Sequence, residues 1–308
     1  IVPLIKDVLE SPLAGTTGIL TKTNEDAVFI ACLLQEQGMP VRLVQTNSGN
    51  FYLGDLDEIR YFNRALDLSQ DTHLIDDERW ETAKRCLKRE FGHAQSWEIC
   101  RNIILNFEQV YSRKYHSDWT NYLFESKLED FYPVQGEAIV VSTIHKAKGK
   151  EFDNVFLLLT NIESLSDEKK REVYVAITRA KQNLSIHTNG HYLSNIANGL
   201  AEYRINSNTY PAPQSLCYTL THRDLWLDFF IDSHCQAAIN TLKSGMSLRL
   251  TEKGCTDFSN NEILRFSKKF KDILNELIQK DYKLEKASVN FVVYWEKQED
   301  KKEAKIVL

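Results

Sequence analysis

Residues 139–159 read IVVSTIHKAKGKEFDNVFLLL, and residues 167–180 read DEKKREVYVAITRA. Ala138 to Ser142 and Val155 to Leu159 are short, nearly continuous apolar runs, the pattern of strands covered on both faces of a parallel sheet. The loop between them places His145, Lys146, Lys148 and Lys150 within six residues, and Gly149 lets the backbone approach a ligand closely. A basic, glycine-containing loop at the end of a buried strand suits an anion. From Asp167 to Lys181 the spacing turns helical, with Val173, Tyr174, Val175 and Ile177 on an apolar face and Arg171 and Arg179 roughly on one side, about 80° apart.

On these residues the chain resembles the UvrD/Rep/PcrA-type superfamily 1 helicases. TIHKAKGKEF is similar to the family's motif V, T-x-H-x-x-K-G-L-E-[FW], with Lys150 in place of the usual Leu, and YVAITRA is similar to motif VI. Further upstream, Lys22-Thr23-Asn24 before a helical pattern and Gly38-Met39-Pro40-Val41-Arg42 after it resemble R-T-N and G-I-P-Y-R. Phe51 to Leu66 resembles the family's F-x-x-x-x-E-I segment.

The resemblance implies roles residue by residue. Arg179 is then an arginine finger toward the γ-phosphate of ATP, a task suited to a planar guanidinium that keeps its charge. Glu151 would approach the ribose, and Lys148 and Arg171 would serve the nucleotide side. Thr143, His145, Lys22 and Asn24 would contact single-stranded DNA. Each has a plainer reading. Arg179 or Arg171 can be a surface ion pair, the latter with Glu168 or Glu172; His145 can be structural, Asn24 a helix N-cap and Tyr174 core.

Composition narrows the classes. The 308 residues suggest about two domains. Apolar residues make up 43% and the net charge is −5, so any anion site is local rather than a property of the whole surface. The six cysteines, at 32, 86, 100, 217, 235 and 255, include no C-x-x-C pair, which points away from a zinc site or disulfide framework and toward reduced thiols in the cytoplasm. No apolar run reaches the ~20 residues of a membrane span. IVPLIKDVLE is not a signal peptide, and Ile1 reads as an internal cut.

No G-x-x-x-x-G-K-[ST] phosphate loop occurs anywhere in the sequence. In the family that loop and the metal-binding carboxylates belong to a first RecA-like domain, which also holds Mg²⁺, and motif IV precedes Gly18. The expected fold is α/β: a RecA-like parallel sheet flanked by helices with an all-helical insertion, followed by a small α+β domain.

The expected boundaries are 1–50 and 131–205 for the second RecA-like domain and 51–130 for a reduced 2B-like insertion of three or four helices. A linker at 206–215, marked by Pro211 and Pro213, leads to an accessory domain at 216–308. Within the insertion, Lys84, Arg85, Lys88 and Arg89 read as a solvated helix face with interspersed acids, or as a duplex contact. Toward the end, 263–278 has helical periodicity, while Ser288 to Glu296 and Ala304 to Leu308 read as a hairpin.

The expected function is the C-terminal motor half of an ATP-dependent superfamily 1 DNA helicase or translocase, of the kind used in DNA repair. It would act on single-stranded DNA and duplex junctions with an N-terminal RecA-like domain of the same protein, and would be inactive alone. The alternatives are a non-enzymatic DNA- or partner-binding module and, less favoured, a helicase-nuclease of the RecB or AddA kind. For the last, Asp224, Asp228 and Asp232 have no accompanying E-x-K strand.

Overall fold

A computed structural model describes residues 1–44, 52–67, 73–131, 139–160, 166–189, 214–231, 233–299 and 301–308. Of the sequence-based expectations, Phe51, Ala138, Asp232 and most of the linker, 206–213, lie outside the described residues. The chain divides into two compact units, Ile1–Thr46 with Val134–Tyr218, and Asn47–Pro133 with Thr219–Leu308.

The first unit is built from α1 (Val2–Glu10), β1 (Thr17–Thr21), α2 (Asn24–Glu36), β2 (Val41–Val44), β3 (Ile139–Thr143), β4 (Phe152–Leu159), α3 (Asp167–Ile177) and β5 (Ala180–Thr188). Its five strands lie in the order β2-β3-β1-β4-β5, and every neighbouring pair is parallel. All five residues of β1 are buried, as its central place demands.

Alternation sends successive side chains to opposite faces. Ile19, Val141, Phe156 and Leu158 pack with Leu4, Val8, Ile30 and Leu34 of α1 and α2. Leu20, Val155, Leu157 and Leu159 pack with Val173 and Ala176 of α3. Because both faces are covered there, β3 and β4 contain unbroken apolar runs.

α1 is held to the far edge strand by a polar cluster. Asp7 Oδ2 accepts from the Ser185 hydroxyl and sits 3.0 Å from His187 Nε2. Burial lowers the imidazole's pKa, and Asp7 opposes that shift. At the start of the sheet, Gly18 has no side chain because the Phe152 ring occupies the place, 2.6 Å from where a Cβ would stand.

In the second unit, helices Asp57–Ala65, Asp77–Phe91, Trp97–Val110 and His116–Glu125 surround Phe62, Trp80, Phe107 and Trp119. These rings meet at 5.0–5.7 Å between centroids. The indole N–H groups donate to Glu108 and Asn63, which removes the cost of burying them. The insertion is helical as expected, with one addition: Leu74–Ile75 pairs antiparallel with Lys114–Tyr115.

The C-terminal segment carries an antiparallel sheet of Glu262–Arg265, Gly254–Thr256, Ser247–Leu250 and Ala287–Ser288, and a hairpin of Val292–Lys297 with Lys302–Val307. It shares this unit with the helices. Lys305 Nζ lies 2.8 Å from the buried Asp57 carboxylate, Arg60 bridges Asp55 and Glu303, and Leu56 pairs with Val293.

Several local expectations differ from what is observed. The helix expected to run to Lys181 ends at Ile177, because the chain turns there into β5. Arg179 is therefore outside the helix, and the angular argument relating it to Arg171 does not apply. Tyr174 is not core but 69% exposed, since α3 buries only Val173 and Ala176 against the sheet. The periodic stretch 263–278 begins as a strand, Glu262–Arg265, and becomes a helix only at Lys268, after the Ser267 cap. Asn24 is not the N-cap of α2. Thr23 is, with its hydroxyl accepting from the Asp26 amide at 3.0 Å.

Candidate functional site

The parallel register determines where each candidate residue lies. Thr21 pairs with Thr143 at the ends of β1 and β3, so Lys22, Asn24, Thr143 and His145 gather at the carboxyl edge of the sheet. Phe152 pairs with Ala180 at the starts of β4 and β5, so Glu151 and Arg179 lie at the opposite edge. Six residues of strand separate the two levels, roughly 20 Å at ~3.3 Å per residue. One short connection, 144–151, links them.

At the carboxyl edge, Thr143 is buried and precedes a 3₁₀ turn, Ile144–Ala147, in which the His145 side chain is exposed. Its imidazole is 82% exposed, with Nε2 3.6 Å from the Glu172 carboxylate on α3. Lys146 Nζ donates to Asn24 Oδ1 at 2.6 Å. Since Thr23 does the capping, the Asn24 amide faces the motif V loop rather than its own helix. Lys22 is exposed beside it. The four expected DNA-side residues are thus brought together, and Lys146 and Glu172 join them.

The connection then turns sharply. Lys148 has φ −59 and ψ 126, Gly149 has φ +83, and the Lys150 amide donates to Ala147 O at 3.0 Å, the geometry of a type II turn. Nothing lies within 4 Å of a Cβ built on Gly149, so the positive φ, not space, demands glycine there. Lys148 and Glu151 are both exposed.

At the amino edge the Arg179 guanidinium is half-buried and uses three of its five N–H donors within the fold. Nε donates to Val175 O at 2.9 Å, one terminal nitrogen to Lys150 O at 3.2 Å, and the other to the Thr178 hydroxyl at 3.1 Å. All three acceptors are neutral. Among the described residues no carboxylate comes within ion-pair distance of it, so the surface ion pair that a lone arginine usually makes is not what holds this one. Backbone holds Arg179 as well, its carbonyl accepting from the Phe152 amide at 2.8 Å. Glu151 lies nearby, 4.0 Å from Lys181. Next to them Asp153 accepts from the amide and hydroxyl of Thr16, which hold its carboxyl below the usual carboxylate range.

Arg171 is not brought to Arg179. It precedes Glu172, which faces His145, and lies six residues before the end of α3, about 9 Å along the axis. Among the described residues it makes no ion pair with Glu168 or Glu172. Glu172 and Lys146 were not singled out for roles in the sequence; Glu172 could not have been, because its partner lies on another element.

The class defined by this architecture is an α/β parallel-sheet domain with a basic loop spanning both edges of the sheet and a fixed arginine at one of them. Residues 120–191, which begin in the helix His116–Glu125 of the second unit and run through the basic loop to β5, match the family model of the UvrD-like helicase C-terminal domain, a helicase-related similarity at the level of that family. Residues 1–119 and 192–308 lie outside the match. No curated protein matches the chain.

Donor chemistry at the amino edge fits a nucleotide phosphate approached from one side: Arg179 keeps its charge unneutralised, and Lys148 and Lys150 flank the adjoining turn. Among the described residues no group of three or more His, Cys, Asp or Glu could hold a metal ion, so the residues described do not supply a Mg²⁺ site of that kind. Among the described residues no helix is long and apolar enough to cross a membrane.

Proposed function

We propose that this chain is the second motor domain of an ATP-dependent superfamily 1 DNA helicase or translocase, working with a phosphate-loop domain that completes the nucleotide site. The observation that carries the reading is the state of Arg179. Its guanidinium is oriented by three neutral acceptors and keeps its full charge for an anion. A donor pre-oriented in this way stabilises charge that develops in a transition state without reorganising when it is needed.

ATP supplies the phosphoryl group whose transfer to water drives such a motor. Arg179 would reach its γ-phosphate, Glu151 its ribose, and Lys148 the phosphate side. Arg171, whose neighbour Glu172 faces His145, has weaker support for a nucleotide role. Thr143, His145, Lys22 and Asn24 would hold single-stranded DNA, with Lys146 fixing the Asn24 amide. The connection 144–151 has one end at each site, and its turn at Gly149 admits no other residue without strain. Movement at the nucleotide can therefore be felt at the strand.

The test is ATP hydrolysis by the intact protein with and without single-stranded DNA, for Arg179→Ala and His145→Ala. Arg179→Ala should remove turnover and spare DNA binding, whereas His145→Ala should weaken DNA binding and DNA stimulation and spare basal turnover. Steady-state hydrolysis by this chain alone, abolished by Arg179→Ala, overturns the reading.

A further inference from the structure

Cys32 and Glu36 lie one turn apart on α2, and both receive hydrogen bonds from one strip of chain. The Cys217 amide donates to Cys32 Sγ at 3.2 Å. Ser215 donates to Glu36 Oε1 from its amide at 3.1 Å and from its hydroxyl at 3.2 Å. Two residues of chain reach at most ~7 Å, and four residues of helix rise ~6 Å, so amides two apart on the strip meet successive turns of the helix.

That contact brings the two cysteines together. The Cys217 nitrogen is bonded to its own Cα, and Cys32 Sγ is two bonds from its own, so the Cα atoms are at most roughly 7.5 Å apart. The Cα–N–H angle, about 120°, bends that path and shortens the separation toward the ~4.4–6.8 Å that a disulfide spans.

The two thiols differ in access. Among the six cysteines, all of them described, Cys217 alone is exposed, and Cys32 is buried. Burial also pushes the Cys32 thiol up, so it holds less thiolate at neutral pH than an ordinary cysteine and is suited to act second.

We propose that Cys217 and Cys32 form a thiol–disulfide exchange site for a small disulfide of the glutathione class, which closes a Cys32–Cys217 bond and staples residues 215–217 to α2. The Cys217 thiolate attacks one sulfur of the small disulfide; that S–S bond breaks, and one small thiol leaves carrying the proton from Cys217. The Cys32 thiolate then attacks the Cys217 sulfur and expels the second small thiol, which takes the proton from Cys32. Two protein thiols are oxidised, and one small disulfide is reduced to two thiols.

The experiment incubates the chain with oxidised glutathione and reads intact mass, then peptides from a non-reducing digest. The expected product has lost about 2 Da, two hydrogens, yields a linked peptide pair containing Cys32 and Cys217, and reverts with dithiothreitol. Cys32→Ser should stop at the first step and keep one glutathionyl group on Cys217; Cys217→Ser should give neither product. A glutathionyl group that persists on Cys217 in the unsubstituted chain overturns the proposal, as does a linkage of Cys217 to Cys86 or an unreactive Cys217.

Discussion

Arg179 in the first unit and Lys305 in the second are held in opposite ways. In the second, Lys305 meets Asp57, Arg60 meets Asp55 and Glu303, Lys84 meets Glu81 and Glu108, and Lys243 meets Glu90. In the first, Arg179 meets two carbonyls and a hydroxyl, although Lys170 meets Asp167 and Lys181 lies 4.0 Å from Glu151. A carboxylate partner neutralises a cation and ties it to the fold; a neutral acceptor orients it and leaves its charge for something outside the chain. On the basic helix face at 84–89, Lys84 is bound by two glutamates while Arg85 meets the Thr82 hydroxyl, so of these Lys84 belongs to the fold.

The largest expected effect tests the fold-bound side of that comparison. Lys305 and Asp57 are 12% and 8% exposed at the side chain, so Lys305→Met leaves a buried carboxylate with only the more distant Arg64, at 3.9 Å, and should cost about 3 kcal/mol in urea unfolding. Adding Asp57→Leu should recover much of it. A loss below about 1 kcal/mol for the single variant, the range of exposed pairs, would mean that the pair ties nothing down.

Next comes the free side. Arg179→Ala in the intact protein should lower kcat at least ~10²-fold with ATP affinity little changed, because the lost interaction belongs mainly to the transition state. Arg179→Lys should not restore it, since an ammonium cannot reproduce the fork held by Val175, Lys150 and Thr178. Wild-type turnover in either variant would remove Arg179 from the chemistry.

A third test uses Glu58, whose Oε1 accepts from the Ser96 hydroxyl at 2.5 Å and whose Oε2 has no hydrogen-bond partner among the described residues. Burial raises its pKa above the ordinary 4.5. The folded state thus holds the proton more tightly than the unfolded state, so this contribution to stability is complete below the ordinary value and is lost as pH rises through the folded-state pKa. The slope is at most ~1.4 kcal/mol per pH unit for one proton. Glu58→Gln should flatten that part of the stability–pH curve; an unchanged slope shows that the carboxyl titrates normally.

The smallest effect belongs to His145. Its exposed imidazole offers one contact to a strand, worth on the order of 1 kcal/mol, so His145→Ala should lower DNA affinity only several-fold and leave basal hydrolysis alone. Loss of basal hydrolysis would mean that the two edges of the sheet do not divide the work.

Much of the first unit was legible in the sequence because its signals are local. β3 and β4 contain short apolar runs covered on both faces, and YVAITRA carries Arg179 in a recognisable setting; Gly149 was read as a place for close approach to a ligand, whereas the structure gives it a positive φ in a turn. The misreadings arose where a local pattern was ambiguous. Thr23 and Asn24 are both good caps, and the backbone chose Thr23. The 263–278 stretch suits a strand or a helix, and pairing with Gly254–Thr256 took its first four residues. A nine-residue helix at Val2–Glu10 left no clear expectation at all; it is stabilised by burying Leu4, Ile5 and Val8 against the sheet, a surface the segment itself does not reveal.

By itself, then, the sequence determined the parallel α/β character of the first unit, the basic loop, the arginine at 179 and the lack of a phosphate loop, since each follows from residues close together in the chain. Only the tertiary structure decided which acceptors surround Arg179, that Lys146 holds Asn24, that Glu172 faces His145 and that Cys217 rests on Cys32. Lys146 and Asn24 are 122 positions apart, and Cys217 and Cys32 are 185 apart. Hydrogen bonds act over about 3 Å, so partners so distant in sequence become partners only when packing of the sheet and helices has carried them to the same place.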